Sequence, residues 1–280
     1  MLAARSIAVV RRISGLSFQP RPLNPQSGRS VLLAGWRPES CDFRVNVELA
    51  RPDDCALVRD FLLREARPQE FVISSQQSTA EEVGHFFADV ARRSTDTPTT
   101  ALMLREDDGE LIGLVAGSVN ELPDVREHVP PRPPPSDMKQ MIDEAEGHSR
   151  KEKRIFALCS YFFQFIPQHV PFPHKWYICG ELSSIAMKYQ NRHLLLPVTQ
   201  LMAAYYAASG FLFADTICTA VAMRRVSEQL GFELVHEVPY EQFVDGGERC
   251  FGEPADGGKT ISLMLGRFDR MGYAVARSHK

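Results

Sequence analysis

The sequence predicts an α/β protein with a mixed central β-sheet flanked by helices, and three observations carry that prediction. The first is a strand–turn–helix–strand–helix succession over residues 176–232, the order of a unit whose two strands run parallel. The second is a pair of apolar strands, 99–104 and 111–119, joined at Asp107-Asp108-Gly109, which is a hairpin signal and therefore an antiparallel pair. The third is bulk: 280 residues with a hydrophobic fraction of 44% and a charged fraction of 24% have the composition of an ordinary globular chain, long enough for one large domain or two small ones.

Taken in order, residues 1–38 contain Arg5, Arg11, Arg12, Arg21, Arg29 and Arg37 and no acid; Glu39 is the first. An Arg-rich, Ser-containing, acid-free start has the composition of a mitochondrial presequence, and Leu2, Val9, Ile13 and Leu16 fall on one helical face. The expectation is a presequence over 1–38, a folded domain over 39–280 and a mitochondrial matrix location. A basic tail carrying no address, and a cytoplasmic protein, is the alternative.

Residues 43–49 alternate apolar and polar (Phe43, Val45, Val47, Leu49), the period of a strand. Arg51-Pro52-Asp53-Asp54 starts a helix, with Pro in the first turn and acids at the positive end of the dipole. Its apolar face is Leu57, Val58, Phe61 and Leu62, and it ends before Pro68. A polar loop follows over 65–78, with Phe71-Val72-Ile73 inside it. Ser78-Thr79-Ala80-Glu81 then caps a second helix carrying Val83, Phe86, Phe87 and Val90. After the hairpin, residues 122–136 are Pro-rich and read as an exposed insertion in extended form. Helices are expected over 137–146 and 151–165, the second apolar at Ile155, Leu158, Phe162 and Phe165.

Within the central unit, 176–187 is a strand and 189–193 a polar turn. Residues 194–209 form a helix stopped by Gly210, 211–214 a short strand, and 219–230 a helix closed by Gly231. Strands at 234–240 and 259–265 flank a Gly- and acid-rich loop over 241–258.

Composition also excludes function classes. No apolar run approaches the ~18 residues of a membrane span. The six cysteines (Cys41, Cys55, Cys159, Cys179, Cys218, Cys250) form no CxxC pair, which argues against a zinc site or a disulfide framework and for a reducing compartment. Setting aside the six N-terminal arginines leaves 26 basic residues against 35 acidic ones. Such a body is a poor nucleic-acid binder and attracts small cations. Oligomeric state leaves no mark on the sequence.

Glu181-Leu182-Ser183-Ser184-Ile185-Ala186-Met187-Lys188-Tyr189-Gln190 resembles the central strand and following turn of the GNAT N-acyltransferase superfamily. Cys218-Thr219 followed by Gln229-Leu230-Gly231-Phe232 is similar to its last helix and the turn into the next strand. The nearest likeness is to the aralkylamine (dopamine-type) N-acetyltransferases of invertebrates. It extends over about residues 43–268 and rests on order and spacing more than on identical residues. The resemblance implies the GNAT fold and acetyl-CoA as cosubstrate, with N-acetylation of an arylalkylamine or related small amine by direct transfer.

It also implies site residues. The superfamily's pyrophosphate pattern, Gln/Arg-x-x-Gly-x-Gly/Ala, falls on Gln190, Asn191, Arg192, His193, Leu194 and Leu195, with His193 and Leu195 in place of the small residues. A main-chain N–H of Ile185, Ala186 or Met187 would receive the thioester carbonyl. The relatives' catalytic glutamate precedes a proline; aligned on Pro68 that position is Arg67, flanked by Glu65 and Glu70. Glu181 is a further candidate base, and strand alternation puts it on one face with Ser183 and Ile185. Thr219 matches the first of two family serines and Met223 the second; Thr219 reads equally as a helix N-cap. Glu65, Glu181 and Thr219 are thus the candidate catalytic residues. Two other readings stand beside this one. The changes at Arg67, His193 and Met223 fit a GNAT-fold protein that binds CoA or a partner without catalysis. The mitochondrial address fits an acyl-CoA:amino acid N-acyltransferase.

Overall fold

The computed structural model describes residues 22–268 apart from 125, 127 and 255. Its strands in chain order are β1 (Val31–Trp36), β2 (Val45–Leu49), β3 (Ala101–Arg105), β4 (Leu111–Glu121), β5 (Trp176–Ile185), β6 (Phe213–Cys218), β7 (Glu233–Pro239), β8 (Val244–Asp245), β9 (Glu248–Arg249) and β10 (Thr260–Arg267). The helices are α1 (Cys55–Phe61), α2 (Phe71–Ser74), α3 (Gly84–Thr95), α4 (Lys139–Glu144), α5 (Arg150–Phe163), α6 (Leu195–Ala208) and α7 (Val221–Gln229).

Eight strands form one sheet in the order β1-β2-β3-β4-β5-β6-β10-β7, and β8–β9 is a separate short hairpin. Every pairing in the large sheet is antiparallel except β5 with β6. The one parallel step is where the sequence places a helix between strands, and α6 is that crossover. The predicted mixed α/β sheet is therefore the observed one.

Burial explains the strand sequences. Val45, Val47, Leu102, Ile112 and Leu114 are fully buried because helices cover both faces of the sheet centre. On one face lie α1, α3 and α5, and α6 and α7 lie on the other. Tyr206 of α6 packs against Gly117, and Ser227 of α7 lies 3.4 Å from Cys218 of β6. Phe61, Phe87, Phe162 and Phe165 are buried in the core, each worth about 1.5–3 kcal/mol of hydrophobic stabilisation. Gly109 at φ +71 makes the β3–β4 hairpin turn, and Gly231 at φ +82 closes α7, both as the sequence predicts.

Three sequence expectations differ from the structure. Residues 22–38, set aside with the basic segment, include an edge strand: β1 pairs antiparallel with β2, and Leu23 bridges to Ser30. Arg29 makes a two-pronged bond to Asp54 (2.9 and 2.7 Å) and reaches Glu48 at 3.4 Å. A strand whose only distinctive feature was its basic surroundings left no periodic signal. The rest of the expected presequence, residues 1–21, lies outside the described residues.

The Pro-rich segment is largely exposed and without regular structure, as expected, but it is tied to the domain. Gln168 donates to the Val129 carbonyl at 2.6 Å, Tyr161 donates to that of Arg132, and Pro134 is buried. A chain without internal hydrogen bonds leaves its carbonyls for neighbours, and α5 and the turn after it supply the donors. Finally, β6 runs on to Cys218 rather than ending at Ala214. Asp215 and Thr216 are strand residues despite their polarity, because β10 and β5 pair with their backbones.

Candidate active site

The site forms where β5 and β6 part. The two strands pair over Ile178↔Ala214, Cys179↔Asp215 and Gly180↔Thr216 only. Beyond this, β5 stays with β4 to Ile185 and β6 with β10 to Cys218, so a wedge opens toward both C-terminal ends. Gly180 stands at its apex, where a β-carbon would come within 3.0 Å of the Asp215 carbonyl.

A bulge in β5 decides the fate of Glu181. Ala116 pairs with Leu182 and Gly117 with Gly180, so Glu181 is the extra residue. Ser118 Oγ donates to Glu181 Oε1 at 2.6 Å, whereas Ile185 packs at Gly113. Ser118 and Gly113 point to opposite faces of β4. Glu181 therefore faces α3 while Ile185, and Ser183 with it, faces α6. The expectation that all three share a face fails because a bulge shifts the alternation by one. On its face Glu181 accepts from Arg93 through both oxygens, Nε at 2.9 Å and Nη2 at 2.8 Å, with its side chain 7% exposed. Both of its oxygens are thus engaged by one guanidinium.

The chain after α1 crosses the mouth of the wedge. A π turn over Leu62–Ala66 ends the helix, with the Arg67 N–H bonded to the Leu62 carbonyl at 2.9 Å. Gln69 then donates to the Glu65 carbonyl at 2.6 Å and the Ile185 carbonyl at 3.2 Å, and accepts from the Gln190 amide. The Glu65 carboxylate accepts from the Met187 N–H at 3.1 Å and from Arg64 at 3.0 Å. It lies at the end of β5 and does not reach Thr219.

Glu70 does. Thr219 Oγ1 donates to Glu70 Oε1, Tyr240 Oη donates to the Thr219 carbonyl, and Phe71 packs its ring against Tyr240 at 4.8 Å. Burial raises the Glu70 pKa, outweighing the bonds from Thr219 and from the Val72 and Phe71 N–H groups, and no cation contributes. Thr219 is not the cap of α7: Ala220 holds that position, and Asp256 accepts from the Val221 N–H at 2.8 Å. Cys218 beside it is buried against Ser227, and burial pushes its thiol up to about 11.

Of the three candidate main-chain donors, one faces the wedge. The Ala186 N–H goes to the Ile112 carbonyl of β4 at 2.9 Å and that of Met187 to Glu65. Bonding direction alternates along an antiparallel strand, so the Ile185 N–H points into the wedge, where its carbonyl meets Gln69.

The turn at 190–195 is shaped for an anion. Gln190 has φ −62, Asn191 +59, His193 +54 and Leu194 −76, so φ alternates in sign with Arg192 negative between the two positive values. Such alternation turns successive N–H groups toward one concavity. At Leu194, α6 begins with no side-chain cap among the described residues, and the first N–H groups of a helix and the positive end of its dipole suit an anion. His193 stands at positive φ, where glycine is strain-free; His is among the non-glycine residues that tolerate it. Beside the turn, Asp42, Phe43, Arg44, Arg105, Glu106, Asp107, Tyr189 and Arg192 line a cavity of about 490 Å³. It sits over the ends of β2 and β3, away from the wedge between β5 and β6.

Sequence reasoning weighed Glu70 beside Glu65 and Glu181 as a possible base and missed Gln69, Tyr240 and Asp215. Asp215 is 1% exposed, and its Oδ1 has no partner among the described residues. Burial, then the Glu181 charge, raises its pKa well above the usual carboxylate range. An acid inside an apolar strand was the one available signal.

No protein-family model matches the sequence, and no curated protein matches it. Solved structures do. An arylalkylamine N-acetyltransferase 2 from Aedes aegypti superimposes with a TM-score of 0.64 at 15% identity over 80% of this chain and 99% of that one. A mosquito arylalkylamine N-acetyltransferase-like 5b gives 0.60 at 18% identity with the same coverage. A Drosophila melanogaster polyamine N-acetyltransferase, described as forming N-acetylagmatine, gives 0.58 at 13% identity, again over 80% and 99%. The wedge between its two parallel strands, the turn leading into α6 and these superpositions together show that the chain has the GNAT acyltransferase fold.

Proposed function

We propose that the protein is an acetyl-CoA-dependent N-acetyltransferase that acts on a small amine, of arylalkylamine or related type, by direct transfer in a ternary complex. The observation that carries this reading is the Glu70–Thr219 pair across the mouth of the wedge, with the Ile185 N–H and the anion-shaped turn on the same rim. Solved structures that share the fold include acetyltransferases for such amines by name.

The roles follow from the chemistry. The turn 190–195 and the start of α6 would hold the pyrophosphate, which needs backbone N–H donors and gains from the helix dipole. The Ile185 N–H would stabilise the oxyanion that develops on the thioester carbonyl. An amine of pKa ~10.4 is about three units from neutral at pH 7, which withholds roughly 4 kcal/mol of drive toward attack. Glu70 has the raised pKa and the position to take that proton, and the Thr219 hydroxyl is bonded to it for relay. In this reading Glu70 replaces Glu65 and Glu181 as base, Glu181 being tied to Arg93 and Glu65 to Met187.

One observation favours the non-catalytic alternative: Gln69 and Glu65 occupy the Ile185 carbonyl and the Met187 N–H, groups that border the cofactor path. The test is acetyl-CoA binding by calorimetry together with thiol release against a panel of arylalkylamines and polyamines. Turnover with at least one amine supports the enzyme. Tight CoA binding without turnover on any amine decides for the binding protein.

The basic N-terminus supports a mitochondrial location as a second proposal. A fluorescent reporter fused to residues 1–40 should enter mitochondria, and replacing Arg5, Arg11 and Arg12 with Glu should stop it. Diffuse fluorescence from the unaltered fusion refutes the address.

A further inference from the structure

A contact from the N-terminal segment bears on the turn. Ser40 Oγ donates to the Arg192 carbonyl at 2.6 Å, and Arg192 Nη1 donates back to the Ser40 carbonyl at 3.2 Å. Two reciprocal bonds thus tie residues 152 positions apart. The Arg192 guanidinium is steadied over the Phe43 ring at 5.9 Å.

The consequence lies in the peptide that joins Arg192 to His193. A trans peptide is planar, so its carbonyl and its N–H point in opposite directions. With the carbonyl held toward Ser40, the His193 N–H is aimed away from it. That N–H has no hydrogen-bond partner among the described residues. His193 itself sits at φ +54, a region a β-carbon disfavours, so the peptide gains by rotating away unless something holds it.

We infer that Ser40 is a positioning residue for the cofactor: it pins the 192–193 peptide so that the His193 N–H faces the pyrophosphate. A glycine at this position would take up the conformation without strain. Here a tether from outside the turn supplies what the side chain opposes. The inference rests on the acetyl-CoA reading above and adds to it a residue of the segment that precedes β2.

The experiment compares the full-length protein with Ser40→Ala and Ser40→Thr. Two ligands are measured by calorimetry: acetyl-CoA, and S-acetylpantetheine, which carries the thioester but no pyrophosphate. Ser40→Ala should weaken acetyl-CoA about three- to tenfold, the range of one net hydrogen bond. It should leave S-acetylpantetheine unchanged, and Ser40→Thr should bind acetyl-CoA like the unaltered protein. Ser40 is exposed, so the melting temperature should hold. Equal acetyl-CoA affinity in Ser40→Ala overturns the inference. Equal loss for both ligands overturns it too, by showing a general distortion. If the unaltered protein binds no acetyl-CoA, the reading it rests on fails, a result distinct from either of these.

Discussion

Glu70 and Glu181 both raise the pKa of the Cys159 thiol, which burial pushes up to about 12, yet their surroundings are opposite. Glu181 sits on a strand, and Arg93 grips both of its oxygens. Glu70 sits after a π turn, meets the Thr219 hydroxyl and has no cation among the groups that shift its pKa. A carboxylate beside a guanidinium is stabilised as an anion and gives up its basicity; one enclosed without a cation keeps a high proton affinity. The strand gives the more fixed position, but the partner decides the chemistry.

The largest expected effect tests that contrast directly. Glu70→Gln should lower kcat/KM by at least about 10²-fold near neutral pH, the typical contribution of a positioned base. Much of the loss should return as pH rises toward the amine pKa, where free amine is already abundant. A constant loss at every pH would make Glu70 a binding or folding residue and remove the distinction from Glu181.

Glu181→Gln should behave in the other way. Leaving Arg93 with only Asp89 should cost about 2–3 kcal/mol of stability in urea unfolding, at the lower side of broken buried pairs because Arg93 is 27% exposed. Activity per folded molecule should then change by the same factor at all pH values. The pair Glu181→Leu with Arg93→Met should recover most of the stability, since neither partner is left alone. Rate loss that high pH rescues, in a fully folded Glu181→Gln protein, would make Glu181 the base after all.

Asp215 sharpens the comparison from below, because the Glu181 charge is one of the two causes that raise its pKa. A carboxyl raised in the folded state favours folding fully below its unfolded pKa of ~3.9, and that contribution is lost as pH rises toward the folded value. Asp215→Asn should therefore gain stability relative to the unaltered protein between pH 4 and pH 7. A difference that stays constant over this window would mean that Asp215 ionises normally.

The smallest effect concerns the rim that Glu70 shares with the turn. His193→Gly should raise stability by roughly 0.5–1 kcal/mol: relief of about 1–2 kcal/mol of left-handed strain, less the entropic cost of about 0.5–1 kcal/mol for glycine. Thermal unfolding reads it. A loss of stability would show that the imidazole makes contacts worth more than the strain.

Several features were legible because their cause is local. Apolar alternation at Val45, Val47 and Leu49 marks β2, and Asp107-Asp108-Gly109 marks a hairpin whatever surrounds it. The turn at 190–195 was found in its place, and Gly231 at φ +82 closes α7 as its position after an apolar helix predicts. Thr219 lies just past the end of β6, and its partner Glu70 could not be read from the sequence. Glu65, Glu70 and Glu181 could not be told apart in the sequence, because the groups they meet, Met187, Thr219 and Arg93, come from distant parts of the chain.

The sequence by itself determined the α/β class and most of the elements, since periodicity and turn chemistry act over a few residues. Only the tertiary structure decided which partner each carboxylate meets. That choice depends on a bulge opposite Ala116 and Gly117, on an arginine 88 positions from Glu181 and on a threonine 149 positions from Glu70. Proton affinity is set by the charges and the water a group has lost within a few ångströms, and those neighbours come together only when the sheet and its helices have closed around them.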